Sequence, residues 1–303
     1  MGLVLLLTKN KKYFAIFLIF VSTLFASAMG ACLKYTLVSN DVYIVGFLRF
    51  FFGTIIILPY ILYSKFRVFK TCNLKLHIIR SSINLPVMYF GFTALSLIPF
   101  EKNAAINFTV PIFVTILAVI FLKERIHYFR ITALIIGFIG MLIIIRPGII
   151  PFEFGVKIAL ISSFLWAFAV VLTKTLARKD SAITILTYQY VLLTLFTLIL
   201  AIINWEPISF KSLLLIFLAA IFGTFFHLSI NHAFKIVDLT YSQPISFLSL
   251  IWALGLGIIL FNEYPNLYTW LGAMVIFISV YIITFREAKL KKDIPKQSLP
   301  LQQ

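Results

Sequence analysis

Apolar residues in this chain come in long blocks rather than in alternation with polar ones. Runs of about twenty, separated by short charged or turn-rich breaks, recur ten times. A helix of about twenty residues spans the roughly 30 Å of hydrocarbon in a bilayer. The blocks predict helices over Tyr13–Leu33, Val42–Tyr63, Ile78–Leu97, Asn103–Leu122, Phe129–Ile145, Phe154–Leu176, Ile183–Ile203, Ser212–Ala233, Ser242–Phe261 and Leu267–Phe285. No break is long enough for a soluble domain. The expected fold is an all-α integral membrane protein of ten transmembrane helices, ending in a polar cytoplasmic tail at 288–303. Lys9, Lys11 and Lys12 ahead of the first block, with Ala26-Ser27-Ala28 inside it, mimic a secretory signal. The apolar run is longer than the core of about 7–15 residues that a signal carries.

Composition agrees. Of 303 residues, 62% are hydrophobic and 12% charged, against about half and a quarter in soluble domains. That excludes an ordinary soluble enzyme, a disordered chain and a disulfide scaffold. Cys32 and Cys72 fall near opposite membrane faces, out of reach of a disulfide. A net charge of +16 would suggest nucleic acid in a soluble protein. Here the basic residues collect in loops and no basic helix or soluble module carries them, so a lipid bilayer and no nucleic acid is expected. With the N-terminus inside, twenty Lys and Arg fall in inner segments, five in outer ones and Arg49 within the second span. The positive-inside rule then puts both termini in the cytoplasm.

The two halves echo one another. Leu33–Leu37 matches Thr173–Ala177, Ile44–Phe50 matches Thr184–Tyr190, and Phe121–Glu124 matches Phe261–Glu263, all at an offset of about 140 positions. Five spans per half is an odd number, so the second half crosses the membrane upside down. Two inverted five-helix repeats, 13–148 and 154–287, are a signature of secondary transporters; a duplicated bundle without a transport role is the plainer alternative.

On particular residues the chain resembles the EamA family of the drug/metabolite transporter superfamily. Pro111 lies within span four, which closes on Phe121-Leu122-Lys123-Glu124-Arg125. Gly137 and Gly140 lead to Arg146-Pro147-Gly148. Trp252-Ala253, Gly255, Gly257, Phe261, Glu263, Pro265, Gly272-Ala273, Tyr281-Ile282 and Arg286-Glu287 follow the family's last two spans, and Arg49-Phe50 with Pro59 its second. Leu250 departs from the pattern, standing where span nine often has a proline; Pro244 comes earlier. The resemblance implies a carrier of small organic metabolites in a bacterial inner membrane, with a cavity between the halves lined mainly by spans one, three, four, six, eight and nine. One subgroup that the chain resembles imports S-adenosylmethionine. Export of amino acids or drugs is the alternative direction, and a homodimer is left open.

The residues supply their own candidates, because polar groups in lipid turn inward. Asn103, Asn107 and Pro111 are spaced by four on one helix face; His227 and Asn231 are i, i+4 neighbours. Thr23, Ser27 and Lys34 make a stripe in span one, and Ser242, Ser246 and Ser249 another in span nine, near Trp252. Such stripes serve either a cavity or helix–helix hydrogen bonds. Arg49 reads as the one charge deep in a span: either an anchor for a substrate carboxylate, or a residue that caps carbonyls or snorkels outward. Trp166 and Trp252 could meet an onium or amine group, or simply pack.

Enzymatic signatures are missing: no His-Glu-x-x-His, Gly-x-Ser-x-Gly or P-loop, and four scattered histidines, His77, His127, His227 and His232. No cofactor or metal is expected. An intramembrane enzyme and a channel are the readings from other classes, though no filter-like repeat supports a channel. All ten carboxylates fall at or beyond span ends. Either His227 carries a coupling proton, or the protein exchanges or uniports without one; the second is favoured.

Overall fold

The computed structural model describes residues 2–107, 109–124, 128–146, 154–246 and 248–290. Every regular element among them is helical: α1 (Gly2–Leu37), α2 (Val42–Tyr63), α3 (Leu74–Leu97), α4 (Phe100–Ile106), α5 (Thr109–Leu122), α6 (Tyr128–Ile145), α7 (Phe154–Ala177), α8 (Ala182–Ile203), α9 (Phe210–Ile236), α10 (Leu239–Ser246), α11 (Ser249–Phe261) and α12 (Leu267–Leu290), with a single 3₁₀ turn at Arg67–Phe69. Twelve helices occupy the ten predicted blocks, because α4 and α5 share the fourth and α10 and α11 the ninth. Among the described residues six stretches are long and apolar enough to cross a membrane, one of them running through α4 and α5. The tail from 291 onward, His127, and the Pro147-Gly148 exit lie outside the described residues.

Local chemistry sets the helix starts. The Asp41 carboxylate accepts the Tyr43 N–H at 2.7 Å to begin α2. Ser181 and Ser209 do the same for Thr184 and Ser212 at the heads of α8 and α9. Each cap satisfies one of the four N–H groups a helix start leaves open. In spans four and nine the first helix ends at Ile106 and at Ser246, again 140 positions apart. Pro111 sits in the first turn of α5, where a missing N–H costs nothing. In span nine no proline follows the break; Pro244 lies within α10.

Helix pairing carries the duplication into three dimensions. α1 packs on α9, and its counterpart α7 packs on α3; α5 meets α7 as α11 meets α1. α2 and α8, the equivalent helices of the two halves, pair with each other, as do α6 and α12. This is the pattern that an approximate twofold relation requires, with two self-paired seams on its axis. In the first seam Thr54 and Thr194 share a hydrogen bond of 3.1 Å. In the second, Gly140 and Gly272 bring two backbones together: a Cβ on Gly272 would stand 2.5 Å from the Gly140 carbonyl oxygen.

The outer surface is apolar. Phe17, Ile199, Ile259 and Met274 are each more than half exposed, and so broad an apolar surface suits lipid rather than water. The interior carries polar groups among its apolar clusters, including Arg49, Arg80, Asn84, Gln189 and His227.

Gly272→Ala is expected to lose about 1–3 kcal/mol by overpacking, measured as a lower melting temperature in detergent. Gly255→Ala, whose new Cβ would meet nothing within 4 Å, should hold or raise that temperature, since alanine is the better helix former by about 0.5–1 kcal/mol. Equal losses from both would remove the seam as the explanation.

Candidate functional site

Between the two halves lies a cavity of about 380 Å³, within the range of about 300–1,000 Å³ typical of small-molecule sites. Spans one, three, four, six, eight and nine all contribute to its wall, and so do α2 and α8. Among the described residues no carboxylate lines it, but two arginines do.

The first is Arg80. The sequence reading counted it with the inner loop charges, six residues from the start of α3; the structure corrects this. Arg80 lies within α3 and is 1% exposed. Its Nε donates to Thr173 Oγ1 at 2.5 Å and its Nη2 to Gln189 Oε1 at 2.9 Å. Gln189 Nε2 in turn meets His227 Nε2 at 3.3 Å. A chain of polar contacts thus runs from α7 through α3 and α8 to α9, across the seam between the halves.

The second is Arg49, 2% exposed. Among the described residues it caps no carbonyl, and it does not reach outward. Its guanidinium lies 4.7 Å from the Phe50 ring centre and 5.5 Å from that of Tyr190. Nη2 contacts Met29 Sδ at 3.1 Å, and Nη1 is buried without a hydrogen-bond partner. Gly223 makes the space: a Cβ there would collide with Nη2.

Of the predicted residues, Arg49, Asn103, Asn107, Trp166, His227 and Asn231 line this cavity. Asn107, at the span-four break, accepts from Ser163 Oγ at 3.1 Å through its Oδ1. The Trp166 ring meets His227 edge-on, with centroids 6.1 Å apart. Trp252 lies outside the lining. Its Nε1–H donates to Thr23 Oγ1 at 3.2 Å and its ring meets Phe20 edge-on, tying α11 to α1. Ser27 Oγ joins the same contact by donating to the Ser249 carbonyl. The serines of span nine also turn inward on their own helix: Ser242 and Ser246 donate to the carbonyls of Leu239 and Gln243.

Sequence reasoning missed Arg80, Asn84 and Gln189. Two signals were present. Arg80 and Asn84 stand i, i+4 on one face of α3, and the offset of 140 puts Gln189 at the position equivalent to Arg49. Among the described residues no group of three or more His, Cys, Asp or Glu side chains comes together to hold a metal.

Matching structures close the bundle at either end of the cavity. Span four ends at Lys123 (φ 54°) and span nine at Asn262 (φ 52°), both left-handed. The next N–H reaches back six residues, Glu124 to Ala118 O and Glu263 to Gly257 O, so both spans end in the same left-handed turn. Each turn aims its glutamate at the other half. Glu263 accepts the Phe100 N–H that opens α4, at 2.8 Å, and Glu124 accepts the Leu239 N–H that opens α10, at 3.2 Å. The equivalent lysines complete the arrangement. Lys34 pairs with Glu263 at 2.6 Å and reaches the Ile98 carbonyl, while Lys174 donates to the carbonyls of Phe234 and Val237.

Comparison with known proteins agrees with this architecture. The profile described as the EamA-like transporter family matches twice, at residues 13–146 and 153–285. An S-adenosylmethionine uptake transporter of Rickettsia prowazekii is 28% identical over 81% of this chain and 83% of its own; one from Rickettsia bellii is 29% identical over 89% and 92%. A riboflavin transporter of Vibrio cholerae is 28% identical over 86% and 88%. A solved crystal structure superimposes with a TM-score of 0.69 over 94% of this chain and 98% of that one, at 16% identity, which speaks for the fold alone.

Gln189→Leu removes the acceptor for Arg80 and the neighbour of His227. Leaving a buried guanidinium short of a partner should cost about 1–3 kcal/mol, seen as a lower melting temperature. Gln189→Glu keeps an acceptor and is expected to retain most of the stability; a loss as large as that of the leucine variant would show that the contact does not support the fold.

Proposed function

The chain belongs to the EamA-like transporter family, and we propose that it is a secondary transporter taking up S-adenosylmethionine or an amino-acid-like solute across a bacterial inner membrane by exchange. Its membership makes it a multi-pass membrane transporter of small metabolites. The observation that carries the finer reading is the cavity at the junction of the two halves, lined by the spans that break at equivalent positions. Inverted repeats with discontinuous helices beside a central site are the architecture of alternating access. The relatives named for S-adenosylmethionine uptake support the cargo.

Exchange is favoured by what the cavity lacks. A proton-driven carrier often uses a carboxylate near the midplane, and among the described residues no carboxylate lines this cavity. His227 lines it together with both arginines, so protonating it would add a third positive charge. A carrier that trades one solute for another needs no such step.

Purified protein in proteoliposomes preloaded with unlabelled S-adenosylmethionine should accumulate the labelled compound by counterflow, faster than empty vesicles do. An uncoupler should leave this exchange nearly unchanged. Saturation and counterflow separate a carrier from a channel, and product without accumulation would mark an enzyme. Counterflow with riboflavin instead would move the cargo to that of the other relatives. Strong inhibition by the uncoupler, lost in His227→Gln, would replace exchange with proton coupling.

Orientation follows from charge. The excess of basic residues in the inner segments supports cytoplasmic termini, and a reporter fused after Gln303 should be active only there. A reporter active outside the cytoplasm would overturn the orientation.

A further inference from the structure

The cavity has an electrostatic imbalance that a solute would correct. Among the described residues neither Arg49 nor Arg80 has a carboxylate within salt-bridge distance. Buried cations are normally paired, because withdrawing an ion from water costs several kcal/mol. Around the two arginines, further polar groups stand idle. Asn84 is 3% exposed, and both its Oδ1 and Nδ2 lack partners; Asn231, 1% exposed, has an unpartnered Nδ2. With Arg49 Nη1, these are buried hydrogen-bonding atoms on residues that line one cavity. Buried polar groups in folded proteins are nearly always satisfied, so the unmet capacity marks where a ligand atom belongs.

Both arginines meet one stretch of α8. Arg80 bonds Gln189, Arg49 lies over the ring of Tyr190, and His227 touches both residues, with ring centroids 6.3 Å apart from Tyr190. Asn84 is one turn from Arg80 on α3, and Asn231 one turn from His227 on α9. Their character is donor-rich. Two guanidiniums and two amide NH₂ groups meet no anionic side chain, and a guanidinium fork matches the two oxygens of a carboxylate.

We propose that this cluster is a carboxylate subsite: the cargo carries a carboxylate, bound by Arg49 and Arg80 with the Asn84 and Asn231 amides. The proposal rests on the transporter reading above and narrows its cargo to carboxylate-bearing solutes such as amino acids and their derivatives. Arg80 is already oriented by Thr173 and Gln189, so its fork is preorganised and little side-chain freedom is lost when the anion arrives. Riboflavin, which is neutral and has no carboxylate, leaves both charges unmet.

The test uses paired compounds that differ only in the carboxylate: S-adenosylmethionine with its decarboxylated form, and L-methionine with methioninamide. The full-length chain in nanodiscs is titrated with each, with the shift in melting temperature as readout. The acid of each pair should bind at least about tenfold more tightly than its partner, as expected for a charge-assisted contact. In Arg80→Gln and Arg49→Gln the preference should shrink towards about twofold. If neither variant folds, the pair comparison in the unaltered protein still decides. Equal binding within each pair, or no shift with any compound, overturns the subsite. Inorganic phosphate shifting the temperature as strongly as the acids would also overturn it, by assigning the cluster to free oxyanions. The cargo reading fails separately: acid preference without S-adenosylmethionine counterflow leaves the subsite standing, and counterflow indifferent to the carboxylate does the reverse.

Discussion

A guanidinium surrounded by lipid tails has neither water nor counterion, and the interior of this bundle is organised around that constraint. Arg80 is accommodated only because α7 and α8 bring Thr173 and Gln189 to it. Arg49 fits only because Gly223 leaves room and the Phe50 and Tyr190 rings face it. Each arginine therefore draws the second half of the chain against the first. The cavity results from that packing: once five helices have turned polar groups inward around two charges, lipid cannot fill the space between them.

Duplication supplies the means. The residue equivalent to Arg49 in the second half is Gln189, so one ancestral position now provides a charge in one half and an acceptor in the other. The ends of the cavity kept closer symmetry. Lys34 with Glu263 and Lys174 with Glu124 occupy equivalent places, and each glutamate caps the opening helix of the opposite repeat. Negative charge at a helix N-terminus is favourable, so each half stabilises the other's broken span. At one end Lys34 pairs with its glutamate and reaches one carbonyl, and at the other Lys174 donates to two carbonyls.

Much of this was legible in the sequence. The apolar blocks located the helices, because lipid demands a length that composition reveals. The offset of 140 located the repeat and, had it been pressed further, would have singled out Gln189. Asn103, Asn107, His227 and Asn231 were recognisable because a polar residue inside an apolar block is costly, and Trp166 because its ring can meet a cation. Arg80 was not. It lies near the head of α3, where a charge looks like loop chemistry, and only the packing of α7 and α8 shows that this end of the helix is enclosed. Trp252 misled in the other direction: its sequence position near a serine stripe gave no sign that its N–H was taken up by Thr23 on another helix.

The Arg80 contacts also bear on how the protein is made. Gln189 follows Arg80 by 109 residues, and at about 5–20 residues per second of synthesis that gap lasts about 5–20 s. Until it ends α3 bears a guanidinium without its full set of acceptors, at a cost of about 2.5–3.5 kcal/mol at full depth. Thr173 and Gln189 both belong to the second repeat, so the first repeat alone cannot satisfy its own buried arginine. A chain truncated between the repeats would keep the charge and lose both acceptors.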